Sequence, residues 1–164
     1  MRPVLPAPWT PLDIALEACA AAGLLAQLAW MLPRLPHLPD KVPVHFDFSG
    51  RPNRWGSRSE LAVLPVVALV MYTLLTVIAR LPHLANYPIK ITPENAAHQY
   101  RMTTVMLSVL KVEIMWLLTF VGAKIIRIAE GTARTLGAAS TLAMVSLVIL
   151  TPTVWLVLTL AARP

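Results

Sequence analysis

From Leu61 to Ala79, between Glu60 and Arg80, the chain carries no charged residue. A helix that crosses about 30 Å of hydrocarbon needs roughly 20 mostly apolar residues. Three further segments approach that length, Leu12 to Leu32, Met102 to Ile126 and Thr135 to Ala162. Composition points the same way, with 57% of the 164 residues hydrophobic and 13% charged, where a soluble domain carries about 25% charged residues. The expected fold is therefore all-α: an integral membrane four-helix up-down bundle. Its spans cover 12–32, 61–79, 102–126 and 135–162, behind a proline-rich tail over 1–11. Short connections favour antiparallel neighbours in sequence order.

The punctuation fits spans. Pro65 falls near the start of the second, where proline costs least, whereas Thr151-Pro152 predicts a kink in the fourth. Met1 to Pro11 holds one Arg and several prolines rather than a basic leader, so the first span reads as retained. Arg-Leu-Pro-His-Leu occurs at 34–38 and again at 80–84, each time after an apolar helix, as a cation followed by proline does at a helix stop. Small residues at Ala18, Ala21, Ala22, Gly137, Ala138 and Ala139 allow close helix approach.

The formal charge is +6 and the pI about 10.1. The basic residues flank apolar runs instead of forming one patch, which points to membrane flanks and away from nucleic acid. Arg2, Arg80, Lys90, Arg101 and Arg163 lie on one side, against Arg34, Lys41, Arg51, Arg54, Arg58, Lys124, Arg127 and Arg134 on the other. The bias puts the loop over 33–60 in the cytoplasm and both termini outside. Cys19 has no partner cysteine, so there is no disulfide, CxxC or thiolate zinc signal. No nucleophile elbow, phosphate loop or HExxH is present, and neither an enzymatic role nor a cofactor is expected.

The loop over 33–60 is richer in turn formers than a tether requires. Pro39 and Pro43 favour extended backbone before them. Val42, Val44, Phe46 and Phe48 alternate with Pro43, His45 and Asp47, the period of a strand with one apolar face. Ser49-Gly50 ends it in a turn. Trp55-Gly56 follows, the indole suited to the membrane interface, and Ser57 or Ser59 is placed to cap the second helix. An ordered interfacial loop folded over the bundle mouth is expected. His45 and Asp47 share a face, but a metal would need a third ligand such as His37 or His83. Those two follow opposite ends of the bundle. A structural role in the loop fits better, and no metal site is expected.

The pattern Leu-Pro-x-x-Val-Pro-x-His-Phe-x-x-x-Gly-x-x-x-x-Trp-Gly-Ser-Arg over 38–58, set between two spans, resembles the domain of unknown function of SdpI-type bacterial membrane proteins. The stretch Asn86 to Arg101, followed by Leu110-Lys-Val-Glu-Ile114, is similar to the small four-span members of that group. The resemblance covers residues 38–127. It implies a multi-pass protein of a bacterial inner membrane. SdpI itself is linked to immunity against a secreted peptide toxin and to signalling by holding a repressor at the membrane, with more spans than this chain has.

Lys111 and Glu113 lie about 13 and 16 Å into the third span counted from Met102, a depth at which ionisable groups face protein or water. Two residues apart, they point to different sides of the helix. Glu17 enters about 8 Å from the same side, so a Lys111–Glu17 pair is expected to fix helix packing. A third helix starting instead at Pro93, capped by Thr92 with Glu94 in its first turn, would bring both charges toward the headgroups. A proton or ion path through Glu113, Lys111 and His98 asks for more spans and repeats than four helices supply. The expected role is non-catalytic: an accessory subunit stabilising a larger membrane protein complex. Trp116, Phe120 and Trp155 would then face the partner. SdpI-like immunity or signalling is the alternative, and a transporter-like or metal-binding role is third.

Overall fold

The computed structural model describes residues 2–5 and 8–162, so Arg163, part of the charge balance above, lies outside them. Four helices run through it: α1 Pro11–Met31, α2 Val63–Ala79, α3 Pro93–Ala129 and α4 Ala138–Ala161. Each is long and apolar enough to cross a membrane, α2 together with the 3-10 segment Arg58–Ala62 that leads into it. The protein is an all-α four-helix membrane bundle, and its β structure among the described residues is one antiparallel hairpin, β1 Lys41–Phe46 and β2 Pro52–Ser57.

The helices are not equivalent. α3 has 37 residues, about 55 Å at 1.5 Å per residue, well beyond a hydrocarbon core of about 30 Å. It is the central post: α1, α2 and α4 all pack on it, while α4 meets little else. α3 starts at Pro93 rather than near Met102 because a cap, not hydropathy, sets its beginning. Thr92 N donates to Asn95 Oδ1 at 2.9 Å and Pro93 takes the first helical position.

α1 opens on a Thr10/Asp13 capping box with Pro11 at its first turn. Its buried face is Ala20, Gly23, Leu24, Gln27 and Met31, while Ala18 and Ala22 are exposed and take no part in packing within the chain. The close approach occurs at Gly23, where a Cβ would stand 3.1 Å from the Met115 Cβ. Gly137 serves another purpose as well, ending the α3–α4 connection with φ +84°. α4 continues through Pro152 as one helix. Both Arg-Leu-Pro-His-Leu copies fold into a single 3-10 turn, Leu35–His37 and Pro82–Leu84.

The hairpin closes the end of the bundle where α1 and α3 finish. Val42, Leu38 and Leu61 join Met31, Ile125, Ile126, Ile128 and Leu136 in one apolar cluster. Val42 pairs with Gly56 and Pro43 with Trp55, and the ladder is irregular at His45. Phe48 does not share the strand's apolar face as expected. Past the irregularity the chain turns, Gly50 N donating to Asp47 O at 2.9 Å, and Phe48 stands wholly in the open at 102% exposure. Gly50 is buried with φ +74°, and its carbonyl accepts from Leu136 N at 2.9 Å, which locks the turn to the α3–α4 connection. Ser57, not Ser59, caps the turn into α2 and shares a capping box with Glu60.

A side chain at Gly50 would be strained in the left-handed region, by about 1–2 kcal/mol, although its Cβ would meet Leu136 and Gly137 only at van der Waals distance. Gly50→Ala should lower stability by that amount in detergent thermal unfolding. Gly122→Ala, whose Cβ meets only the Met31 Sδ at 3.5 Å, should be neutral or stabilising by up to about 1 kcal/mol.

Candidate functional site

At the end of the bundle opposite the hairpin, charged side chains from three helices meet. Lys111 of α3 is 1% exposed, and its Nζ donates to Glu17 Oε2 of α1 at 2.5 Å and to Thr76 Oγ1 of α2 at 2.8 Å. Tyr72 of α2 donates its hydroxyl to the other Glu17 oxygen, Oε1, at 2.5 Å. The structure thus brings Lys111 and Glu17 together and adds two partners from α2. An ammonium and a carboxylate away from water are tolerable only with good geometry and their remaining valences satisfied. The early start of α3 leaves the pair intact, because its extra turns overhang beyond the start of α1. Glu17 is about 9 Å from the start of α1, while Lys111 is about 27 Å from the start of α3.

One layer outward, Arg101 Nη1 contacts both Asp13 oxygens at 2.7 Å, and its Nη2 donates to Thr10 Oγ1 at 2.9 Å. Arg80, at the end of α2, lies 3.6 Å over the Trp9 ring. Tyr100 donates its hydroxyl to Pro3 O at 3.0 Å, which draws the N-terminal tail across this end. Between these groups is a cavity of about 440 Å³, walled by both ion pairs together with Trp9, Arg80 and Tyr100.

Sequence reading missed much of this constellation. Arg101 reads there as a flanking loop charge, and Asp13 is not singled out. Tyr72 and Thr76, four apart in a charge-free span, were the available signal, since that spacing puts two polar groups on one helix face.

Glu113 turns away from Lys111. Its Oε1 accepts from Thr151 Oγ1 of α4 at 2.7 Å, and its Oε2 is buried without a partner among the described residues. Proline at 152 denies the preceding turn a backbone donor, and the adjacent Thr151 hydroxyl is spent on Glu113. His98 is exposed, about 20 Å along α3 from Lys111, so the residues of the third-ranked ion path do not converge.

The three aromatic residues expected to face a partner are partly used within the chain. Trp116, 40% exposed, donates Nε1 to Cys19 O at 3.2 Å. Phe120 is half-buried, with Lys124 Nζ 5.6 Å from its ring centre. Trp155 turns inward: its Nε1 donates to Thr103 Oγ1 at 3.2 Å and its ring packs 6.3 Å from that of Tyr87.

In the hairpin, His45 Nδ1 is 2.6 Å from Asn53 Oδ1 across the strands. Asp47 Oδ1 accepts from Ser49 Oγ at 2.7 Å and from the backbone N–H groups of Ser49 and Arg51 at 2.9 Å each. Both side chains are engaged in shaping the turn. The Ser49 hydroxyl bond, with the Arg51 N–H beside it, holds the Asp47 carboxyl below its ordinary range. Pro39 is exposed and Pro43 buried, while Phe46 and Gly56 are half-buried and Trp55 is 53% exposed. A Cβ at Gly56 would collide with the Glu60 carboxylate.

Comparison with known proteins finds a family match over the segment that contains the hairpin. The family model described as Domain of unknown function (DUF1648) matches residues 22–69, from mid-α1 through the hairpin into α2. An uncharacterized protein of Archaeoglobus fulgidus is 37% identical over 75 residues, 44% of this chain and 41% of that protein. The match therefore spans less than half of that relative's length. No solved structure matches.

Removing one member of a buried pair strands the other and costs about 3–5 kcal/mol. Glu17→Gln, which strands the buried Lys111, should destabilise the bundle by that order in detergent unfolding. Lys111→Met should cost less, because the Glu17 side chain is 26% exposed and keeps its Tyr72 bond. The double variant should recover a large part of the Glu17→Gln loss. For Asp47, a depressed folded pKa means that its stabilising contribution is complete above the ordinary value of 3.8 and is lost as pH falls through the lower folded value. Protection of the Ser49 and Arg51 amides in hydrogen exchange should therefore hold from neutral pH to about pH 4 and fall below it. Asp47→Ala should lack it throughout.

Proposed function

We propose that the protein is a non-catalytic membrane subunit that packs on and stabilises a larger membrane protein complex, with the hairpin as its contact. The observation that carries this reading is the rigid display of uncovered aromatic side chains. The hairpin is anchored by the apolar cluster beneath Val42 and by the Gly50–Leu136 hydrogen bond. It nonetheless holds Phe48 at 102% and Trp55 at 53% exposure. Fixing a loop in advance lowers the ordering cost of binding, and aromatic anchors dominate interfaces. The same segment exposes Lys41, Arg51 and Arg54 along with Asp40, Asp47 and Glu60, a mixed polar rim around an aromatic centre. In this reading the hairpin faces the cytoplasm, the side favoured by the Lys and Arg balance.

SdpI-like immunity or signalling is the second reading. It draws support from the loop sequence over 38–58 and from the family match over 22–69, which contains that loop. The two readings differ in what accompanies the protein in its own membrane.

Purification from the native source through a tag, followed by native electrophoresis and mass spectrometry, separates them. A defined large complex at fixed stoichiometry is expected, and Phe48→Ser with Trp55→Ala should insert normally yet weaken that association. Loss of one aromatic hot spot costs about 2 kcal/mol, roughly a 30-fold drop in affinity. Migration of the wild type alone would contradict the accessory role and favour the second reading.

A further inference from the structure

We propose that the cavity at the mouth of α1, α2 and α3 binds the headgroup of an anionic membrane lipid. The first argument is charge. Arg80, Arg101 and Lys111 line the cavity against only Asp13 and Glu17. Arg101 and Lys111 are matched by these two carboxylates, whereas Arg80 has no salt-bridge partner among the described residues. The site thus holds one positive charge in excess. Among the described residues no acceptor takes a hydrogen bond from the Arg80 guanidinium, whose flat face rests on Trp9 at 3.6 Å. Lys111 spends two N–H groups, on Glu17 and Thr76, out of three.

The second argument is shape and lining. The volume is about 440 Å³, space for about fifteen water molecules at ~30 Å³ each and enough for a phosphodiester with its glycerol. Much of the wall is apolar, with Leu5, Pro8, Trp9, Ala79 and Pro82 contributing. A free phosphate would leave that wall against water. A lipid places its phosphate at Arg80 and lays its glycerol and first methylenes along the apolar side.

The third argument is position. The cavity lies where α1 begins and α2 ends, and a tryptophan and an arginine at the end of a span mark the headgroup level. The N-terminal tail closes over it: Tyr100 and Arg2 bind tail and loop backbone at Pro3, His83 and Ala85. The folded tail makes a recess rather than an open helix face, which distinguishes one retained lipid from the general annulus.

The test is native mass spectrometry of the delipidated full chain in mild detergent, titrated with phosphatidylglycerol or phosphatidylcholine. One phosphatidylglycerol should be retained in preference to phosphatidylcholine by about fivefold or more. Arg80→Gln should abolish the preference with an unchanged thermal midpoint, while Arg54→Gln on the remote hairpin should leave it intact. Ala97→Trp fills the cavity from an exposed position on α3 that also lines it. It should remove the bound lipid without touching any charge, so the proposal stays testable if Arg80→Gln misfolds. Millimolar inorganic phosphate should not displace the lipid. Equal retention of both lipids, an unaltered preference in Ala97→Trp, or displacement by inorganic phosphate, which would assign the site to a free anion, would each overturn the proposal.

Discussion

A lysine ammonium and a glutamate carboxylate held together inside a membrane bundle constrain every helix around them. Either charge alone at this depth is costly, and the pair is tolerable only while α1 and α3 keep the register that sets Lys111 against Glu17. Thr76 and Tyr72 on one face of α2 complete the coordination, so the same contact fixes a third helix. Buried ion pairs are weak sources of net stability, and their best-attested use is to specify register. Here the alternatives they exclude are rotations and slides of otherwise featureless apolar helices, since lipid tails give helix association little hydrophobic drive.

With that register set, the two ends of the molecule take different forms. One end is dry and closed: the hairpin and the Gly50–Leu136 bond seal an apolar cluster between α1 and the end of α3. The other end is polar and hollow, with a second ion pair, Asp13–Arg101, guarding a cavity. α3 connects the two because its length exceeds the hydrocarbon thickness. α4 packs chiefly on α3, with Thr151 on Glu113 and Trp155 on Thr103. These polar contacts in an otherwise apolar seam give α4 a defined rotation.

How legible this was depends on what each residue encodes locally. Apolar runs locate the spans because hydrocarbon thickness demands length, and four helices follow. Helix starts are less visible to hydropathy: Thr92-Pro93 carries the cap of α3 although the polar stretch after it resembles a loop. Lys111 and Glu17 were legible as a pair because depth along two parallel helices entering from the same side can be counted. Asp13, Arg101, Tyr72 and Thr76 were not, since which face of each helix turns inward depends on packing around Gly23 and Met115. In the loop, alternation revealed a strand but placed Phe48 on its buried side. The irregularity at His45 and the Asp47–Gly50 turn, which rotate Phe48 outward, arise from side-chain hydrogen bonds that alternation does not record.

The account rests on the Lys111 ammonium meeting the Glu17 carboxylate within the bilayer. Solid-state nuclear magnetic resonance of the intact protein in lipid, measuring dipolar dephasing between Lys111 ¹⁵Nζ and Glu17 ¹³Cδ, reports that contact without altering the sequence. A nitrogen–oxygen separation of 2.5 Å requires strong dephasing and a charged ammonium signal at Lys111. Negligible dephasing, or a neutral amine at Lys111, would contradict the arrangement of α1, α2 and α3 described above.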